Sequence, residues 1–115
     1  MKSIMIPLNL PSRFWTVVRD LLGYSAGLFP SEWGNEIVPS KRIARIDGFD
    51  QEAAKTVQKI LSAAFGHNEM LPPMPDLGES VADYVIEAAL WLQSQHVGLD
   101  EAAETLRPML NSSLS

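Results

Sequence analysis

Residues 78–95 read GESVADYVIEAALWLQSQ, and the reading of this stretch decides the fold. At 100° per residue, Trp91, Tyr84, Ala88, Val81, Leu92, Val85, Ala89 and Ala82 sweep roughly half the circumference of a helix. So wide an apolar face suits a helix packed on most of its sides, so a helix over about 79–96 is expected at the centre of the domain. Ile86 and Leu90 fall on the opposite side, next to Asp83 and Glu87. The stretch contains no Lys or Arg, yet Glu79, Asp83 and Glu87 recur at intervals of four. On a helix, each such like-charge pair costs roughly 0.2–0.5 kcal/mol, so the ridge reads as a solvated face that aids solubility, as half of an internal pairing with Lys55, Lys59 or Arg107, or as an interface.

Three further segments carry a helical period. Over about 11–22, Phe14, Val17, Val18, Leu21 and Leu22 share a face with Trp15 at its margin, and Arg13, Thr16 and Asp20 lie opposite. Pro11 suits its first turn and Gly23 its stop. Over about 51–65, Ala53, Val57, Ile60, Leu61, Ala64 and Phe65 form the apolar face, behind Asp50 as N-cap and ahead of Gly66. Over about 101–111, behind Asp100, the inward residues are Ala102, Ala103, Leu106, Met109 and Leu110. Pro108 falls on the polar side and removes one backbone bond.

Residues 24–49 resist this treatment. A compact domain seldom holds a structureless loop of that length, so a short element is expected there. "SEWGN" (31–35) suits one helical turn capped by Ser31. "KRIARI" (41–46) suits a short strand or a helix start, and "SIMI" (3–6) could pair with it. Pro72, Pro73 and Pro75 make 67–78 a true connection. The fold class is therefore mainly α: one domain over residues 1–115, a bundle of about four helices with one short extended element within 24–49.

The bulk composition narrows function mainly by exclusion. The chain is 46% hydrophobic and 20% charged, which is ordinary for a globular domain, and it has no cysteine. That removes disulfides, thiolate chemistry and Cys-type zinc sites. No run approaches a membrane span, and the N-terminal apolar stretch is broken by Pro7, Asn9 and Pro11, so a cytoplasmic protein without membrane contact is expected. No Walker loop, G-x-S-x-G or H-E-x-x-H is present. His67, Asn68 and Glu69 form the tightest polar constellation, and they read as a polar loop at a helix end. His96 reads as a packed or capping histidine, with Asp100 across a turn made by Gly98. No catalytic residue, metal ligand or cofactor is assigned.

Charge is distributed unevenly. Residues 1–65 hold eight basic residues against six acids; residues 66–115 hold eight acids against Arg107 alone, so the net −5 divides into +2 and −7. Two helices joined across HVGLD (96–100) resemble a helix-turn-helix, but its reading helix would begin Asp100, Glu101 and Glu104, the wrong sign for phosphates. Direct nucleic-acid binding is therefore rejected. Acids around an apolar pair instead suit a basic protein partner, a nucleic-acid-binding protein being one such case. The expected function is a non-enzymatic inhibitor or regulator of such a partner, of the anti-defence or immunity-accessory kind, with the acids imitating a phosphate track. Glu79, Asp83 and Glu87 would steer the partner, Asp100, Glu101 and Glu104 would extend the field, and Ile86 and Leu90 would supply apolar contact. The alternative is a homodimeric assembly subunit closed through Ile86 and Leu90 with Trp33 or Trp15.

Overall fold

The computed structural model describes residues 10–65 and 71–114, with side chains as far as residue 111. Five α-helices follow in order: α1 (Ser12–Ala26), α2 (Pro30–Glu36), α3 (Gln51–Phe65), α4 (Val81–Ser94) and α5 (Leu99–Leu114), with one 3-10 turn at Ile43–Arg45. The mainly α bundle expected from periodicity is what forms. The pairing of 3–6, the Gly66 stop and the 67–69 constellation lie outside the described residues.

The hub of the bundle is α1, which packs against each of the other four helices. Its Phe14, Val17, Val18, Leu21 and Leu22 are all buried, as the period required. This corrects the central place expected for the 79–96 helix. Helix α4 does bury Val81, Tyr84, Val85, Ala88, Ala89, Trp91 and Leu92, but part of its cover comes from non-helical chain. The Tyr84 hydroxyl donates to the Pro73 carbonyl at 2.8 Å, and the backbone of 39–44 lies along 77–82.

That second contact is the missing element within 24–49. Val81 donates to the Lys41 carbonyl at 2.8 Å, Ile43 to the Glu79 carbonyl at 2.9 Å and Ala44 to the Leu77 carbonyl at 2.9 Å. Arg42 and Ser80 form an isolated antiparallel bridge. KRIARI is thus extended for two residues and then turns once as a 3-10 helix, which places Ile43 and Ile46 in the core.

Two helix ends differ from expectation. Helix α1 does not stop at Gly23 but runs on to Ala26, where Gly27 adopts φ +84°. The Leu28 N–H then reaches the Gly23 carbonyl at 3.0 Å and the Gly27 N–H the Tyr24 carbonyl at 3.1 Å, the Schellman closure. At the start of α2 the N-cap is Phe29, not Ser31, and Pro30 takes the first helical position. Glu32 Oε1 accepts the Phe29 N–H at 3.0 Å. Asp50 caps α3 as expected, its Oδ1 accepting the Ala53 N–H at 2.9 Å.

Asp20, placed by periodicity on the polar face of α1, is only 4% exposed. Arg19 Nη2 meets its Oδ1 at 2.9 Å and Arg107 Nη1 its Oδ2 at 2.7 Å. A buried carboxylate requires this kind of pairing. The one basic residue of the acidic half of the chain is therefore spent on an acid of the basic half.

Candidate functional site, the outer stripe of helix α4

Helix α4 begins two residues later than the acid spacing suggests. Ser80 is its N-cap, with Oγ accepting the Asp83 N–H at 3.1 Å. Glu79 therefore precedes the helix and is not the first member of a helical ridge. Asp83 occupies the first turn, where the positive end of the helix dipole favours a carboxylate.

Glu79 turns back on the loop before it. Its Oε2 accepts the Asp76 N–H at 2.9 Å, and its own N–H donates to the Asp76 carbonyl at 3.0 Å. Partial burial pushes its carboxyl up to about 7; the Asp76 N–H opposes that shift, and a hydrogen bond and like charge from Glu87 add to it. Near neutral pH Glu79 is thus protonated part of the time. Glu79 is half-buried where Asp83 and Glu87 are exposed, so the three acids do not share one environment. Beneath them, burial first and then the Glu79 and Glu87 charges hold the Tyr84 proton far above its ordinary range.

A pH dependence of stability follows, with a definite sign. Because the Glu79 carboxyl is raised in the folded state, its contribution is full below about pH 4.5 and is lost as pH rises through about 7. Glu79→Gln keeps a neutral, hydrogen-bonding side chain at every pH. The variant is expected to match wild type near pH 5 and to exceed it near pH 8.5 by about 1–2 kcal/mol, after allowance for solvent screening. Urea unfolding at the two pH values measures this; an equal gap at both would refute it.

The outward stripe of α4 consists of Asp83, Ile86, Glu87, Leu90, Gln93 and Ser94, positions related by steps of three and four. Asp83 and Glu87 are exposed, and Leu90 is 48% exposed. Ile86 is half-buried, at the edge of an apolar groove of about 260 Å³ that it lines with Leu10, Trp15, Pro39, Ala82 and Val85. The 24–49 segment thus borders Ile86 through Pro39 without closing over it.

Among the described residues, no Lys or Arg forms an ion pair with Glu79, Asp83, Glu87, Asp100 or Glu101. Lys55 pairs with Glu52, Lys41 with Glu36, and Arg107 with Asp20. Asp100 and Glu101 are exposed in the first turn of α5. Glu104 behaves differently: Arg13 of α1 lies 3.3 Å from its carboxylate, so one of the expected field residues is already answered.

Two expectations need correction. Trp33 is 5% exposed, its Nε1 donating to the Leu28 carbonyl at 3.1 Å, and is unavailable for a dimer contact. The left-handed residue between α4 and α5 is His96 at φ 63°, not Gly98. Val97 N–H reaches the Leu92 carbonyl and His96 N–H the Gln93 carbonyl, both at 3.0 Å, while the imidazole is exposed. The composition of the proline-rich connection suits exposed apolar contact, and Leu71 and Met74 are indeed exposed there, at 70% and 37%.

Among the described residues, no three His, Asp or Glu side chains are grouped to hold a metal, and no helix is long and apolar enough to cross a membrane. Comparison with family models, with curated proteins and with solved structures returns no match, so function rests on these residues alone.

Proposed function

We propose that this protein binds a basic protein partner through the outer stripe of α4 and regulates that partner by covering its basic surface. The observation that carries the reading is the exposure of Leu90 between the groove edge at Ile86 and two acids, Asp83 and Glu87, that meet no described cation. An apolar anchor rimmed by like charge gives a partner both contact area and an electrostatic approach. Asp100 and Glu101 extend the negative field. Glu79 contributes less than a full charge near neutral pH, and Glu104 is partly neutralised by Arg13, so the field is centred on α4.

Charge also argues against a second copy as the occupant. An isologous dimer across this stripe sets Asp83 and Glu87 of one protomer against the same residues of its partner, and like charges at an interface oppose association. The homodimeric reading retains the Trp15–Ile86 groove in its favour but has lost Trp33.

The test combines mass in solution with a two-arm binding experiment. Wild type is expected to be a monomer and to retain a basic protein from lysate. That protein, once identified and purified, is expected to bind directly and to be released near 1 M salt, where the Debye length is about 3 Å. Asp83→Asn/Glu87→Gln is expected to weaken this binding at least tenfold, and Leu90→Ser similarly, with both variants melting within a few degrees of wild type. A dimer that Leu90→Asp returns to monomer would establish the alternative. Binding unaffected by either variant would refute the proposed surface.

A further inference from the structure

A second surface, on the opposite side of the charge balance, lies where α1 and α5 meet. Ser12, Arg13, Thr16 and Val17 of α1 face Glu104, Arg107 and Pro108 of α5 across a groove of about 440 Å³. Two guanidinium groups line it. Among the described residues, Arg13 is held only by Glu104, at 3.3 Å and with both side chains more than half exposed; such a pair contributes little and opens readily. Arg107 spends one nitrogen on buried Asp20. Arg19 also neutralises Asp20, so the Arg19–Asp20–Arg107 group keeps one net positive charge. With Arg13 and Glu104 cancelling, the groove is positive by one in a protein whose net charge is −5.

Its uncharged groups point to the same ligand chemistry. The Thr56 and Thr105 hydroxyls each donate to the carbonyl four residues back, at 3.0 Å. Thr16 makes no such bond, and its side chain lines the groove with the hydroxyl still available. The first turn of α1 contains no acid, and its N-cap, Pro11, offers no side-chain oxygen, which adds a potential of the same sign. Exposed Pro108, above buried Val17, supplies an apolar floor. Convergent donors over an apolar floor are the usual composition of a small-molecule site.

We propose that the α1–α5 groove binds a small molecule carrying one carboxylate or phosphate group on a short apolar body. The anion takes the place of the Glu104 carboxylate at Arg13, accepts from Arg107 and from the Thr16 hydroxyl, and rests its apolar part on Pro108. Glu104 is then a competitor for Arg13 and not a ligand. This surface is independent of the α4 stripe.

The experiment is a titration of the full chain with inorganic phosphate and, separately, with butyrate, followed by amide NMR shifts. Saturable shifts confined to residues 12–17 and 103–108 are expected with at least one probe, at dissociation constants of about 1–10 mM for ligands this small. Phosphate alone saturating identifies a phosphate site; butyrate alone identifies a carboxylate site that uses the apolar floor. Arg13→Gln is expected to weaken binding about tenfold and Thr16→Val about threefold. Glu104→Gln, which removes the competitor, is expected to tighten it about threefold or more. Both Arg13 and Glu104 are exposed, so neither variant threatens the fold. Absence of saturable shifts with both probes, shifts that persist in Arg13→Gln, or a weaker Glu104→Gln would each overturn the proposal.

Discussion

Gly23→Ala is expected to destabilise the protein by about 2–3 kcal/mol, although helix propensity alone would make it stabilising by about 1 kcal/mol. Gly23 lies inside α1, and a Cβ there would stand 2.2 Å from Trp33 Cδ1 and 2.6 Å from its Nε1. The indole has little room to yield. It is 5% exposed, its N–H is held by the Leu28 carbonyl, and its helix is tied to α1 by the short 27–29 link. Moving it sacrifices packing and that hydrogen bond together, and each loss is of the order of 1 kcal/mol or more. The melting temperature should fall by about 10 °C, with a red shift in tryptophan emission. Gly27→Ala is the control. It meets nothing within 4 Å and pays only for its φ of +84°, about 1 kcal/mol. A neutral or stabilised Gly23→Ala would show that Trp33 does not sit against α1.

Arg107→Met is expected to cost about 2–3 kcal/mol. The change leaves Asp20 Oδ2 without its donor in a site only 4% exposed. Stripping a buried charge of all compensation costs about 3–5 kcal/mol; Arg19 still holds Oδ1, which keeps the loss below that range. In an Asp20→Leu background the same change should cost much less, giving a coupling of about 2 kcal/mol in a double-mutant cycle. Arg13→Met offers the contrast, because its exposed pairing with Glu104 should be worth no more than about 0.5 kcal/mol. Equal effects of Arg107→Met in both backgrounds would mean that Arg107 acts through its methylene stem and not through Asp20.

These two results bear on what the candidate surfaces are made of. Gly23 and Trp33 lock α2 onto α1, which removes a tryptophan from the exterior. Asp20 occupies Arg107 and thereby leaves the acids of α4 without the only cation in their half of the chain.

Much of the architecture was legible because its causes are local. The 51–65 helix could be bounded by its N-cap and placed by the spacing of Ala53, Val57, Leu61 and Phe65, all of which depend on neighbours within a few residues. The buried side of α4 and the exposure of Leu90 follow from the same periodicity. Glu79 was misread because its interval of four matched a helix that starts only at Val81. What removes it from the ridge is a turn closed with Asp76 and the partial burial that raises its carboxyl, and neither is visible in spacing.

The helical class, the faces of the four longer helices and the imbalance between a basic first half and an acidic second half were all written in the order of residues, because periodicity and charge are sums over near neighbours. The rest depended on approach between distant segments. Arg107 reaches Asp20 across 87 positions, the 39–44 chain lies down on 77–82, and Trp33 fills the space a missing Cβ leaves at Gly23. A side chain's pattern reports whether it prefers water. Whether a buried carboxylate finds its two guanidinium groups, or an acid turns back onto the loop before it, is set by which surfaces the close-packed core brings together.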